Sequence, residues 1–386
     1  MNNTWWVGSQ DLDEDQQDVI TLNTDQSFLI TGPPGSGKTN LLLLRANYIS
    51  AAGKRNILIL TIARTLREFL VSGSSNYQFP PEKVMTLQSW MREFLRTYGE
   101  TPRNTSSGFD DQRADLVEQV GEVIAKHHIS HAYEAVFIDE AQDCLPEEIE
   151  ILSSISSHIF AVGDSRQQIY TDGSALGLLK ERVDEVKRLR YHYRNGSRIC
   201  QFADSIAKHD GSYTPLFPSC QYDEESQPSS VNVSEADSLD QQTQTIIERL
   251  RIQLQTYPGE LLGVLVPKTG DLREVADTLR QSTIGSLVTT QSAADGYVAL
   301  DPARPIVVST IHGAKGLEYR SVHVAAAETL RNFALNRNLV YTAATRAKTA
   351  LSFYHSAPLL GYLEQAFVNL GPPVGTPGLD AAFGGN

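Results

Sequence analysis

The sequence predicts an α/β protein of two tandem units, each a mostly parallel sheet with helices packed against it. Three observations support this: short apolar runs alternate with helix-like stretches, the runs form an early and a late series, and a stretch without Lys or Arg at 211–247 separates them. The early runs are "SFLITG" at 27–32, "NILILT" at 56–61, "AVFIDE" at 135–140 and "IFAVGD" at 159–164. A strand covered on both faces reads as a continuous apolar run, so these are buried parallel strands. The late series is "LLGVLVP" at 261–267, "PIVVST" at 305–310, "SVHVAAA" at 321–327 and "ALSFYH" at 350–355, interleaved with helical patterns such as "GDLREVADTLR" at 270–280. The expected boundaries are 1–185 for the first domain, 186–370 for the second, and a Gly/Pro-rich tail at 371–386 with too few apolar side chains to pack. Part of 211–247, with its Pro, Ser, Gln and acids, is expected to be a mobile surface loop, and "TPRNTSSGFDD" at 101–111 a second loop.

Composition narrows the class. With 386 residues, 41% hydrophobic and 20% charged, the chain has the make-up of a soluble globular protein. "LLLL" at 41–44 is far too short to span a bilayer, and "MNNTWWVGSQDLDEDQQ" lacks the basic start and apolar core of a secretory signal, so a cytoplasmic protein without a membrane partner is expected. Cys144, Cys200 and Cys220 lie far apart, with no CxxC pair and no Cys/His cluster, which predicts no zinc, no iron–sulfur cluster and no disulfide framework. The net charge of −13 argues against a globally basic nucleic-acid binder, although a local basic groove is compatible with it. It lowers the expectation of tight, salt-resistant DNA binding, which is built on Lys and Arg contacts to phosphates.

The most informative stretch is "TGPPGSGKTN" at 31–40. Gly32, Gly37, Lys38 and Thr39 satisfy the phosphate-loop spacing, after an expected strand and before the helix-like "NLLLLRANYIS". In such a loop glycines turn backbone N–H groups toward phosphates, the helix N-terminus favours negative charge, the lysine neutralises the β- and γ-phosphates, and the threonine hydroxyl holds Mg²⁺. Gly32, Pro33, Pro34, Gly35, Ser36, Gly37, Lys38, Thr39 and Asn40 are therefore the candidate nucleotide-binding residues, with ATP and Mg²⁺ as the expected ligands. Downstream, "AVFIDEAQD" ends an apolar strand in two acids. Hydrolysis needs one carboxylate on the metal and another facing the attacking water, which assigns Asp139 to the first role and Glu140 to the second.

"DEAQD" at 139–143 narrows the class further, and the rest of the chain falls into order around it: "LDEDQQ" at 12–17, "GPPGSGKT" at 32–39, "ILILTIARTLREFL" at 57–70, "VMTLQSW" at 84–90, "VFIDEAQD" at 136–143, "VGDSRQQIY" at 162–170, "YHYRNGSRI" at 191–199, "STIHGAKGLEY" at 309–319 and "LVYTAATRAK" at 339–348. With these segments in this order, the chain resembles the superfamily 1 helicases of the UvrD/Rep/PcrA type. The resemblance implies two tandem RecA-like motor domains with ATP in the cleft between them. It further implies that Arg346 acts as an arginine finger, Arg194 as a second γ-phosphate arginine and Gln167 as a γ-phosphate sensor. Tyr193 would stack on adenine, Gln16 would read it, and Glu318 would contact the ribose. Thr61, Arg64, Thr86, Gln88, Trp90, Tyr170, Thr310, His312 and Lys315 are the implied nucleic-acid contacts.

Departures from the family pattern also stand out. The intervals at 95–132 and 281–304 are too short for the large accessory insertions of UvrD-type enzymes, and no nuclease-sized segment follows the last motif. Ile62 stands where the family commonly has Phe, Leu87 and Gln88 where it has Phe-His, and Asp172 where it has Trp. Because base stacking is worth about 1 to 3 kcal/mol per base, lost aromatic platforms weaken single-strand binding. The leading expectation is an ATP-dependent translocase on single-stranded nucleic acid, which the resemblance makes DNA with 3′-to-5′ polarity; the residues alone leave RNA open. The second is a regulatory ATPase subunit that gates a partner such as a nuclease or a DNA-repair or genome-defence factor. A simple nucleotide kinase or GTPase has no use for "TIHGAKGLEY" and "TAATRAK".

Overall fold

The computed structural model describes residues 12–62, 67, 77–103, 109–164, 175–207, 213–292, 300–301 and 303–371. Among the described residues the strands are β1 (Phe28–Thr31), β2 (Ile57–Thr61), β3 (Val84–Thr86), β4 (Ala135–Ile138), β5 (Ile159–Gly163), β6 (Glu185–Arg188), β7 (Ser230–Glu235), β8 (Leu262–Val266), β9 (Val288–Gln291), β10 (Ile306–Thr310), β11 (Tyr319–Val324) and β12 (Ala347–His355). The helices are α1 (Glu14–Thr21), α2 (Lys38–Ala51), α3 (Leu87–Thr97), α4 (Phe109–His127), α5 (Pro146–Ile155), α6 (Ala175–Arg182), α7 (Ser197–Ala207), α8 (Leu239–Thr256), α9 (Thr269–Gln281), α10 (Asn336–Thr345) and α11 (Gly361–Leu370). The chain divides into one compact unit of 1–193 with 291–302 and 313–317, and another of 194–290 with 303–312 and 318–386.

In the first unit six strands run in the order β3-β2-β4-β5-β1-β6, every neighbouring pair parallel. Strand alternation splits the apolar run of β2 between two layers. Leu58 and Leu60 pack with Trp90, Phe94, Leu116 and Leu152 on one face, while Ile57 and Ile59 pack with Leu41, Leu42 and Phe137 on the other. Helices therefore cover both faces, which leaves the carboxyl ends of the strands as the open edge where ligands bind in such sheets. Arg45 of α2 is buried and donates to the carbonyls of Ile20, Leu22 and Asn23, satisfying the orphan acceptors at the end of α1.

The second unit repeats the architecture with the order β7-β12-β11-β8-β10-β9, in which each neighbouring pair from β7 through β10 is parallel. One face of this sheet packs β8 and β10 side chains against Ile246, Leu250, Leu272 and Leu279 of α8 and α9. A triad of Phe202, Phe353 and Phe367, with ring centroids 5.0 to 5.6 Å apart, joins α7, β12 and α11.

Three expectations change. The boundary at 185/186 cuts through β6, whose Glu185–Arg188 pairs along β1, so the first unit runs on to Tyr193. The segment at 211–247 holds ordered structure: β7 pairs with Ala350–His355, and α8 starts within it, capped by the Ser238 hydroxyl accepting from the Gln241 N–H. The second expected loop, 101–111, ends earlier than expected, because α4 begins at Phe109; residues 101–103 are irregular and 104–108 lie outside the described residues. The Gly/Pro-rich tail expected to be disordered lies outside the described residues from 372 onward.

Candidate active site

The loop at 32–39 leaves the carboxyl end of β1 and enters α2 at Lys38. Its shape depends on two glycines, Gly35 and Gly37, at φ of 75° and 81°, a region that L side chains adopt only with strain. A Cβ on Gly37 would also approach Gln16 Nε2 to 3.0 Å. Ser36 donates from both N–H and hydroxyl to the Pro33 carbonyl, and the Lys38 ammonium donates to the carbonyls of Gly32 and Pro33 at 2.9 and 2.8 Å. A cation is thus drawn back over the loop that a phosphate would occupy.

Two neighbours fasten this loop from outside. Gln16 sits in the capping box of α1, taking the Asp13 carboxylate on its N–H, and its Nε2 donates to the Ser36 carbonyl at 3.0 Å. Tyr193 donates its N–H to the Gly35 carbonyl at 3.2 Å and its hydroxyl to Asp13, with 40% of the residue exposed and its ring available.

At the end of β4, Asp139 is buried and accepts from the Thr39 hydroxyl at 3.1 and 3.3 Å. Burial, then the charge of Glu140, raises the Asp139 pKa above the ordinary carboxylate range, against the pull of Thr39 and Lys38. Glu140 turns the chain through the left-handed region at φ 51°, which costs a non-glycine residue on the order of 1 to 3 kcal/mol. Gln142 holds the carboxylate so displayed: its Nε2 donates to Glu140 Oε2 at 2.5 Å, and its Oε1 accepts the Asp164 N–H at 2.9 Å at the end of β5. Gly163 leaves room for that carboxamide, since a Cβ there would lie 2.8 Å from Gln142 Oε1. Asp143 pairs with Lys315 at 2.5 Å in the interior, and its carbonyl accepts from Arg113, which also forms a buried pair with Glu148.

In the second unit, Glu318 precedes β11 and Arg346 precedes β12, at the amino ends of those strands. Arg194 pairs with Glu318 and donates to the Thr345 carbonyl at 2.9 Å. Lys348 lies 3.8 Å from Glu318. Burial would raise the Glu318 pKa, yet Arg194, Lys348 and Arg346 together bring it below its ordinary value. The Asn195 carboxamide donates to the carbonyls of Thr345 and Ala347, fixing the backbone on either side of Arg346, which is 2% exposed.

The expected nucleic-acid positions look different. Trp90 is a core residue, 2% exposed, with its indole N–H donating to the Tyr133 hydroxyl at 3.0 Å; this corrects its expectation as a nucleic-acid contact, because the apolar face of α3 turns inward. Thr86 is buried and spends its hydroxyl capping α3 at the Ser89 N–H. Thr61 is buried at the end of β2, and Lys315 is buried against Asp143, so neither side chain lies on an open surface. Gln88, Thr310 and His312 are half-buried. Ile62 packs against the core, while Arg64, Gln167, Tyr170 and Asp172 lie outside the described residues.

Two family signatures match this chain: an AAA domain over residues 16–172 and a UvrD-like helicase C-terminal domain over residues 305–354. The chain carries superfamily 1 UvrD/Rep/PcrA-like helicase domains. A short segment is similar to F-box DNA helicase 1 of Gallus gallus, 45% identical over 47 residues, which is 12% of this chain and 5% of that protein. Among solved structures, the C-terminal domain of a possible DNA helicase from Lactobacillus plantarum WCFS1 aligns over 46% of this chain and 96% of its own at 19% identity and TM-score 0.34. The PRRSV helicase aligns over 88% of this chain and 54% of its own at 16% identity and TM-score 0.41. Among the described residues no helix is long and apolar enough to cross a membrane.

Within these UvrD-like domains, sequence reasoning assigned no role to Gln142, Arg113, Glu148, Asn195 or Lys348. Gln142 stands inside the quoted "DEAQD", where its spacing from Glu140 was a readable signal. Arg113 and Glu148 are 35 positions apart and carry no motif, so only the fold reveals their pairing.

Proposed function

We propose that the two sheet units are RecA-like motor domains of an ATP-dependent translocase on single-stranded nucleic acid. DNA, travelled 3′-to-5′, is the substrate that the family resemblance favours. The observation that carries the ATPase reading is the convergence of Lys38, Thr39, Asp139 and Glu140 at the carboxyl edge of the first sheet. Thr39 and Asp139 offer the hard oxygen donors that suit Mg²⁺, and a buried carboxylate whose charge is disfavoured fits a site completed by a cation. Held by Thr39 and Asp139, such an ion would supply positive charge to offset that of the phosphates.

The chain's own residues supply the rest. Lys38 leaves the Gly32 and Pro33 carbonyls for phosphate oxygens, and the backbone N–H groups of the loop and the first turn of α2 bind the same anion. Glu140 orients the attacking water and accepts its proton, with Gln142 restricting the carboxylate to one rotamer. Gln16 and Tyr193 receive the base. Arg194, Arg346 and Gln167 stabilise charge on the transferred phosphoryl, and Glu318 takes the ribose on releasing Arg194.

A second reading, a regulatory ATPase that gates a partner nuclease or repair factor with little unwinding of its own, is favoured by one observation: Thr61, Thr86, Trp90 and Lys315 are interior. Steady-state ATP hydrolysis by the purified chain, with and without a short single-stranded DNA, separates the two. Strong stimulation that Lys38→Ala abolishes is expected for the translocase. Hydrolysis that is indifferent to DNA and to RNA would overturn it and leave the partner-gating reading.

A further inference from the structure

Cys200 and Cys220 are distant in sequence, but the fold of the second unit brings them together. Cys200 is buried in the first turns of α7, and Cys220 follows the turn at 217–219 and is half-buried. Their sulfurs lie within 4.8 Å of each other, and both thiols donate to one acceptor, the Asn195 carbonyl, at 3.4 and 3.3 Å. Two weak donors on one oxygen are a poor structural device, since a single hydroxyl would serve that carbonyl better. As a pre-aligned dithiol the arrangement is well suited to oxidation, because a side-chain movement of under 3 Å brings the sulfurs to the bonding distance of about 2 Å.

We propose that Cys200 and Cys220 form a peroxide-sensitive dithiol whose oxidation to a disulfide slows ATP turnover. The thiol chemistry stands alone, while its effect on turnover rests on the ATPase reading above. Cys220, the more accessible thiol, reacts first. Its sulfur attacks one oxygen of hydrogen peroxide, the O–O bond breaks, and the departing hydroxide takes the thiol proton to leave as water, so that Cys220 becomes a sulfenic acid. The Cys200 sulfur then attacks the Cys220 sulfur, the S–O bond breaks, and the hydroxide leaves as a second water with the Cys200 proton. Two thiols are oxidised to one disulfide, and one peroxide is reduced to two waters.

The local environment divides the roles. The neighbouring Cys200 thiol brings Cys220 down to about 7, while the neighbouring Cys220 and burial push Cys200 up and keep it protonated. Cys144 is an internal control, because full burial and the neighbouring Glu148 hold its thiol well above the ordinary range. The link to turnover runs through Asn195. Disulfide formation removes both S–H donors from its carbonyl, and its carboxamide fixes the Thr345 and Ala347 carbonyls around Arg346, beside Arg194.

The test treats the full chain with hydrogen peroxide, alkylates the denatured product and maps its peptides. The expected result is a Cys200–Cys220 linked peptide with Cys144 alkylated, and turnover reduced between about tenfold and 100-fold, as for a small misplacement of positioned groups, then restored by dithiothreitol. Cys200→Ser and Cys220→Ser should each keep the reduced enzyme's turnover and lose the sensitivity. Absence of the linked peptide under peroxide that oxidises free glutathione, or conversion of Cys220 to sulfinic acid with Cys200 still free, would overturn the proposal. A linked peptide with unchanged turnover would remove the regulatory role. If the chain hydrolyses no ATP at all, the peptide map still decides the disulfide, so the two failures are told apart.

Discussion

The loop at 32–39 and the expected nucleic-acid positions 61, 86, 90 and 315 belong to the same unit, yet the fold treats them oppositely. Around the loop, glycines at positive φ and the left-handed Glu140 hold polar groups at the open strand ends. At positions 61, 86, 90 and 315 the same kinds of side chain are turned inward and spent on packing, a helix cap and a buried ion pair. The difference teaches that a motif position can keep its residue type while its role is structural. It also separates two classes of variant, those that lose chemistry without stability and those that lose stability without any direct effect on chemistry.

The sharpest division comes from Glu140→Gln, which retains shape and the contact to Gln142 by amide rotation. Hydrolysis should fall by about 10² to 10⁴-fold while binding of a fluorescent ATP analogue and the melting temperature hold. An equally large drop in melting temperature would break the contrast. Trp90→Ala should cost about 3 to 5 kcal/mol in urea unfolding, a core-cavity effect. If the variant instead kept its stability and lost single-strand binding, Trp90 would be a stacking platform after all. Lys315→Ala strands Asp143 as a buried charge and should likewise cost about 3 to 5 kcal/mol, much of it recovered in Lys315→Ala/Asp143→Asn. A phosphate contact would show the reverse pattern, a reduced salt dependence of DNA binding with no rescue. Thr86→Ala, which removes one helix cap, should cost about 1 kcal/mol and leave ATP turnover unchanged.

How much of this was legible follows from what each element is made of. Strands β1, β2, β4 and β5 are apolar on both faces, so their sequences announce them. Strand β6, "EVKR", is held at the edge by backbone pairing to β1 and is largely exposed, so no apolar run marks it. Strand β7, "SVNVSE", buries Val231 but exposes Val233 on the same face, so no regular alternation marks it within a segment whose composition suggested a loop. The phosphate loop and the DEAQD acids were readable because their chemistry fixes residue type and spacing together. Lys315 and Trp90 were not, because whether a cation or an aromatic faces water is decided by partners such as Asp143 and Tyr133 that lie far away in the chain.

The contacts that fasten the phosphate loop close on themselves. Asp13 reaches Gln16, Gln16 reaches Ser36, the chain steps back to Gly35, and Gly35 returns through Tyr193 to Asp13. A closed circuit differs thermodynamically from an open chain of the same bonds. The first cut releases constraint around the whole ring, and a second cut has less left to remove. Gln16→Ala and Tyr193→Phe should therefore cost less together than the sum of their separate effects, with a coupling on the order of 0.5 to 1 kcal/mol. The rigidity of the loop belongs to the circuit, and a base seated between Gln16 and Tyr193 would change it at two points at once.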